Sequence, residues 1–242
     1  MRVLVTGGAK RLGATIARAV AGAGHEVVIH YGTSCEEAEA LASELGGSAI
    51  GGDLADTAAL PDLFAHAAAA GPIDGLVNSA SLFEYDAADA IDPVLAARLY
   101  AINCLAPATL AAALAAQGRE GAVVNLLDQK LANPNPDFFS YTLSKYALEG
   151  ATTMLAQAFA PRVRVNAVAP GLTLPSGDQS DAEFEQVASR NLLQHPVGAN
   201  RVAEAVLFLL GAKSTTGQTL FVDAGQRFLA RDRDVMFEGR DA

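Results

Sequence analysis

Short β-branched runs alternate along this chain with longer stretches rich in alanine and leucine. Runs at 3–6, 26–30, 48–51, 75–78, 122–126, 164–167 and 218–222 have the length and composition of strands. Between them, apolar positions recur with helical spacing at 12–23, 35–45, 57–70, 93–117, 140–159, 181–193 and 201–210. Parallel neighbours need a long crossover, and a helix supplies one. The alternation therefore predicts an α/β fold: a single-domain, doubly wound, seven-stranded parallel sheet with helices on both faces. No linker or repeat divides the chain, although 134–136 and 172–178 read as loops rich in proline, glycine and polar residues. One domain is expected over 1–227. The remainder, 228–242, with Arg231, Asp232, Arg233 and Asp234 in succession, reads as a solvated C-terminal extension.

Composition narrows the function classes. Apolar residues make up 51% of the 242 positions and charged residues 18%, enough carbon for a large core and too little charge for disorder. With 17 basic against 27 acidic side chains the formal charge is −10, which disfavours nucleic acid and anionic membranes as partners. The alanine-rich stretches are interrupted by polar residues before they reach a spanning length of about 18, and the opening run MRVLVTGG breaks too soon for a signal peptide. Cys35 and Cys104 form neither a disulfide framework nor a metal cluster. A soluble, cytoplasmic protein with free thiols and no metal is the expectation.

The first strand feeds into Gly7, Gly8, Ala9, Lys10, Arg11, Leu12 and Gly13, after which helical spacing begins. Glycines in such a turn let the backbone approach a pyrophosphate, and the helix start presents free N–H groups. By itself this fits a tight connection as well. The second strand ends Val28, Ile29, His30, Tyr31 with no acid, where an NAD-selective site would hold the adenine ribose. Arg11 and the hydroxyls of Thr33 and Ser34 are suited to a 2′-phosphate, so NADP (NADPH) is favoured over NAD. His30 reads either as a strand-end surface imidazole or as a phosphate neighbour.

Tyr141 and Lys145 stand four apart in a helical stretch and so share one face. A nearby ammonium lowers a phenol's pKa and brings it into range for proton transfer to a carbonyl or imine.

These parts, in this order, resemble the short-chain dehydrogenases/reductases. The resemblance runs from the Thr6 to Gly13 turn through Asp53 with Leu54, Asn78 to Ser81, Asn103, Tyr141 with Lys145, and Pro170 with Gly171. It implies a Rossmann fold and hydride transfer from a nicotinamide. Tyr141 would be the proton donor, and Lys145 would hold the nicotinamide ribose and lower the tyrosine's pKa. Asn103 would hold a relay water. Asp53 would meet the adenine, Asn78 and Ala80 the adenosine ribose, and Pro170 and Gly171 the carboxamide. A homotetramer, or a homodimer, with the helices at 93–117 and 140–159 at its interfaces is likewise implied.

Two departures point to a subgroup. The serine that most members carry thirteen residues before the tyrosine is Asp128 here, and Arg11 stands where a glycine is usual. A carboxyl group opposes a forming alkoxide but suits a substrate nitrogen. The TGxxxRxG form, together with Ser81, Phe83 and the stretch His30 to Ser34, is similar to the pteridine reductases and dihydromonapterin reductases. That resemblance implies a pterin substrate, gripped by Ser81, Phe83, Asp128 and Tyr141, with Phe83 stacking the heterocycle. Competing readings are a core Phe83, a surface Asp128, a carbonyl reductase or alcohol dehydrogenase of the same fold, and a catalytically silent NADP-binding regulator. The loop at 130–139, with Asn133, Asn135, Phe138 and Phe139, and a lid candidate at 172–193 are expected to shape the pocket.

Overall fold

A computed structural model of the chain describes residues 1–175, 180–234 and 237. Parts of the loop and lid candidates (176–179) and of the C-terminal extension (235, 236 and 238–242) lie outside the described residues. The strands are β1 Arg2–Thr6, β2 Glu26–Tyr31, β3 Ser48–Gly51, β4 Gly75–Asn78, β5 Gly121–Leu126, β6 Val163–Pro170 and β7 Thr219–Val222. All pair in parallel, in the order β3-β2-β1-β4-β5-β6-β7. The helices are α1 Arg11–Gly22, α2 Cys35–Leu45, α3 Leu60–Ala67, α4 Pro93–Tyr100, α5 Ala106–Ala116, α6 Phe139–Phe159, α7 Asp181–Ala188 and α8 Ala199–Gly211. The doubly wound α/β expectation is met.

Alternation along β1 divides the core. Val3 and Val5 pack with Ile16 and Val20 of α1, Leu41 of α2 and Val206 of α8 on one face. Leu4 packs with Phe64 of α3 and with Leu110 and Leu114 of α5 on the other. Every residue of β1 is buried, as a central parallel strand covered on both faces requires.

Several boundaries differ from the sequence reading. The helix expected at 57–70 starts at Leu60, with Pro61 in its first turn. The one expected at 181–193 stops at Ala188. The long run at 93–117 is interrupted by a π-helical turn at Ala101–Leu105. That run, Pro93–Ala116, is long and apolar enough to cross a membrane. In the fold its apolarity serves the core, where α5 buries Leu110, Ala111 and Leu114.

The order reverses at β1. From there the chain builds outward to β3 and then returns to place β4 on β1's other side. A crevice opens where the connections diverge, outside the C-terminal ends of β1 and β4.

Candidate functional site

Thr6, the last residue of β1, accepts backbone hydrogen bonds from Ser79 and Ala80 at 3.1 Å each, tying the turns after β1 and β4 together. Gly7 has φ +61°, and a Cβ there would sit 2.9 Å from the Ala80 Cα. A Cβ on Gly13 would meet the Gly7 carbonyl oxygen at 2.1 Å. Only glycine permits this closeness. The start of α1 has no side-chain cap, so its free N–H groups face the turn. The turn opens into a cavity of about 360 Å³ lined by Gly7, His30, Tyr31, Thr33, Ser34, Asp53, Leu54 and Ala80. A glycine cradle, an uncapped helix start and a strand end without an acid fit a dinucleotide carrying a 2′-phosphate.

Three sequence expectations are corrected here. Arg11, at φ 51°, turns away from the His30 to Ser34 loop. Its guanidinium donates to the Pro175 carbonyl, and it lines the neighbouring cavity with Asp128 and Tyr141. The cation beside Thr33 and Ser34 is Lys10, 2.6 Å from Glu37, with Arg98 on the same wall. No local signal in the sequence singled out either residue. His30 is neither a surface group nor free for a phosphate. It is buried, its Nδ1 accepting from the Gly7 N–H at 3.3 Å and its Nε2 lying 3.1 Å from the Gly52 carbonyl oxygen. Burial pulls its pKa down, with the Gly52 contact opposing. The neutral ring thus braces the glycine turn against the end of β3. Asn78 lies beneath the cavity rather than on its wall, donating to Asn125 at 2.8 Å, while Ala80 is on the wall.

The second cavity, of about 280 Å³, contains Arg11, Leu12, Ser81, Phe83, Asp128, Tyr141 and Gly171, and it shares Ser81 with the first. Pro170, the last residue of β6, delivers Gly171 to this wall. A Cβ on Gly171 would crowd Gln226 Oε1 at 2.8 Å. Asp128 follows β5 and accepts from the Lys130 backbone N–H at 2.8 Å, capping a short turn at Gln129–Ala132. Its other oxygen accepts from the Tyr141 hydroxyl at 3.0 Å. Asp128 therefore faces the cavity, not bulk solvent. Phe83 is 42% exposed, stacks on Phe138 at 4.2 Å and meets Tyr141 edge-on at 4.7 Å, which excludes the core reading.

Electrostatics around the phenol run opposite to the expectation from Tyr and Lys spacing. Lys145 is buried, and its Nζ donates to the Leu126 carbonyl at 2.9 Å. Its pKa falls to about 8 through burial, partly countered by Asp128. Burial, reinforced by the Asp128 carboxylate, pushes Tyr141 well above the ordinary phenol range, with only Ser81 opposing. The phenol is held protonated, as a donor. Asp128 is pushed up by burial, against its bonds to Lys130 and Tyr141. The two acids are therefore coupled through one hydrogen bond, from the Tyr141 hydroxyl to the Asp128 carboxyl.

Asn103 sits in the π-helical turn, a local distortion that frequently marks a functional position. Its side chain is buried, accepting from the Leu82 N–H at 2.8 Å and donating to the Leu82 carbonyl at 2.9 Å and to Ser144 at 3.0 Å. It clamps the segment that carries Ser81 and Phe83 onto α6.

Lys130, Asn133 and Asn135 line this cavity, as expected of the loop at 130–139, whereas Gln226, Arg231 and Asp234, which also line it, were not legible in the sequence. The extension is therefore not simply solvated. Asn133 donates to the Leu229 carbonyl, Arg233 Nε approaches Asp137 at 2.8 Å, and Phe237 packs on Tyr85 and Phe138. Among the described residues there is no cluster that could hold a metal ion.

A family model described as enoyl-(acyl carrier protein) reductase, a short-chain dehydrogenase/reductase model, matches residues 7–227. Pteridine reductase 1 of Leishmania tarentolae is 32% identical over 273 aligned residues, taking in 92% of this chain and 94% of that protein. The 3-oxoacyl-(acyl-carrier-protein) reductase FabG of Staphylococcus aureus is 31% identical over 244, with 92% and 96% covered. The solved structure of FolM alternative dihydrofolate reductase 1 from Brucella canis, complexed with NADP, superposes with a TM-score of 0.91 at 40% identity, covering 96% of each chain.

Proposed function

The chain belongs to the short-chain dehydrogenase/reductase family, and from that premise we propose that it is an NADPH-dependent reductase of a C=N bond in a pterin. The reading is carried by the 3.0 Å contact between Tyr141 and Asp128 beside the exposed ring of Phe83. The pteridine reductase and the NADP-bound FolM protein among the similar chains support it.

Gly7, Gly13 and the start of α1 would hold the pyrophosphate, Asp53, Leu54 and Ala80 the adenosine, and Lys10, Thr33 and Ser34 the 2′-phosphate. Lys145 and Gly171 would meet the nicotinamide half. Bound there, NADPH supplies the hydride. Phe83 offers its face to a flat, electron-poor ring. Tyr141 gives its proton to the ring nitrogen and takes one back from solvent after turnover, while Asp128, accepting from its hydroxyl in the resting site, orients it for that transfer. Asn103 keeps Ser81 and Phe83 in place. The domain would span 1–227, with the extension at 228–242 completing the pocket. We place the enzyme in the cytoplasm as a homotetramer, with exposed Val94 of α4 and Leu143 and Met154 of α6 at its interfaces. Light scattering reads that mass directly.

The test is NADPH oxidation with dihydropterins and with simple ketones. Tyr141→Phe should cost roughly 10²- to 10⁴-fold in kcat for the dihydropterin, the usual scale of general acid catalysis. Asp128→Ser should abolish pterin turnover. Rapid ketone reduction by the unmodified protein, improved by Asp128→Ser, would instead make it a carbonyl reductase.

A further inference from the structure

The cavity contains a second acid that comes from far along the chain. Asp234, in the extension, lines the same wall as Asp128, Phe83 and Tyr141. Its side chain is only 13% exposed, so it is fixed in place rather than solvated. Lys130 Nζ donates to its Oδ2 at 3.1 Å and also to the Asp137 carbonyl. The backbone N–H of Asp234 donates to the Asp137 carboxylate at 2.7 Å, which also receives Arg233. The segment is anchored again at Phe237, which stacks on Phe138, the ring that stacks in turn on Phe83. The aromatic surface of the cavity and this carboxylate are thus held by one set of contacts.

The chemistry of the group says what it could read. A carboxylate has only acceptors, about four lone-pair positions on two oxygens, and pairs best with two adjacent N–H donors. A ketone offers none. An amino group beside a ring N–H, the amidine-like edge of an aminopyrimidinone, offers both. We propose that Asp234 contacts the substrate and selects heterocycles carrying such an edge. This rests on the pterin reading of the same site and names the group that would enforce it. Lys130 orients the carboxylate, and Asp137 with Arg233 locks the segment that carries it.

Binding is measured by calorimetry on the NADP⁺ complex with two oxidised ligands, 2-amino-4-oxopteridine and 2,4-dioxopteridine, so the result does not depend on turnover. The unmodified protein should prefer the amino compound. Asp234→Asn keeps the shape but exchanges an acceptor for a donor. It should weaken the amino compound by about tenfold or more, the scale of a lost hydrogen bond to a charged group, and leave the dioxo compound nearly unchanged. NADPH affinity should stay close to that of the parent, while the unfolding midpoint should fall because the buried Lys130 ammonium loses its counter-charge. Equal weakening of both ligands would make Asp234 an anchor only and overturn the proposal. So would an unchanged preference, or failure of the parent to bind either compound. Intact amino preference without turnover of any dihydropterin would refute the reaction assigned above and leave the role of Asp234 standing.

Discussion

Replacing Lys145 by methionine should change how stability depends on pH. The ammonium is enclosed by protein, and its pKa falls from the usual 10.5 to about 8. At about 1.36 kcal/mol per pH unit, that difference corresponds to about 3 kcal/mol of folding stability forgone wherever the amine is charged in both states. The unfolded chain keeps its proton up to 10.5, while the folded chain releases it near 8. Between those values the unfolded state binds more protons, so stability contributed by this group rises with pH. Below pH 8 the full cost is present. Lys145→Met keeps most of the buried carbon and removes the titration, although it leaves the Leu126 carbonyl without its donor. That loss is nearly independent of pH. Urea unfolding of both proteins at about pH 7 and about pH 10 isolates the difference, because other titrating groups are common to the two. The parent should gain on the variant by about 2 to 3 kcal/mol over that interval, most of the difference worked out above. Parallel stability curves would show that the ammonium is not desolvated, and the account of the charges around Tyr141 would fail with it.

Gly13→Ala should abolish dinucleotide binding while leaving a folded protein, because the added methyl would lie 2.1 Å from the Gly7 carbonyl oxygen and the turn must open to admit it. Overpacking of this kind costs about 1 to 3 kcal/mol, and calorimetric titration with NADPH gives the affinity. His30 is held neutral in the fold, with its pKa depressed below 6.5, so its contribution to stability is present above 6.5 and lost as pH falls through the folded value. Thermal unfolding from neutral to acidic pH should therefore drop more steeply for the parent than for His30→Gln, and equal slopes would refute the brace between Gly7 and Gly52.

Much of this protein was set by neighbours close in sequence. Apolar period, β-branched runs and the glycines of the first turn depend on residues within a few positions of one another, so the alternating elements, the parallel sheet and the cradle at Gly7 and Gly13 were legible. Tyr141 with Lys145, four apart on α6, was legible for the same reason, and Asp128 by its spacing from Tyr141. What the site does with those residues was decided by tertiary contact. Spacing alone predicted that Lys145 would lower the phenol's pKa, yet the fold sends the ammonium to Leu126 and sets Asp128 against the hydroxyl, which raises it. Adjacent side chains Lys10 and Arg11 enter different cavities because Arg11 adopts a positive φ. His30 read as a surface imidazole or a phosphate neighbour until the turn after β3 supplied Gly52. The charged run at 231–234 has no pattern that distinguishes it from a solvated tail. Its place on the wall depends on Lys130 and Asp137, about a hundred residues earlier, and on the ring of Phe138. Desolvation and charge pairing act through space, and a chain's local pattern carries no record of which distant groups will share a dielectric.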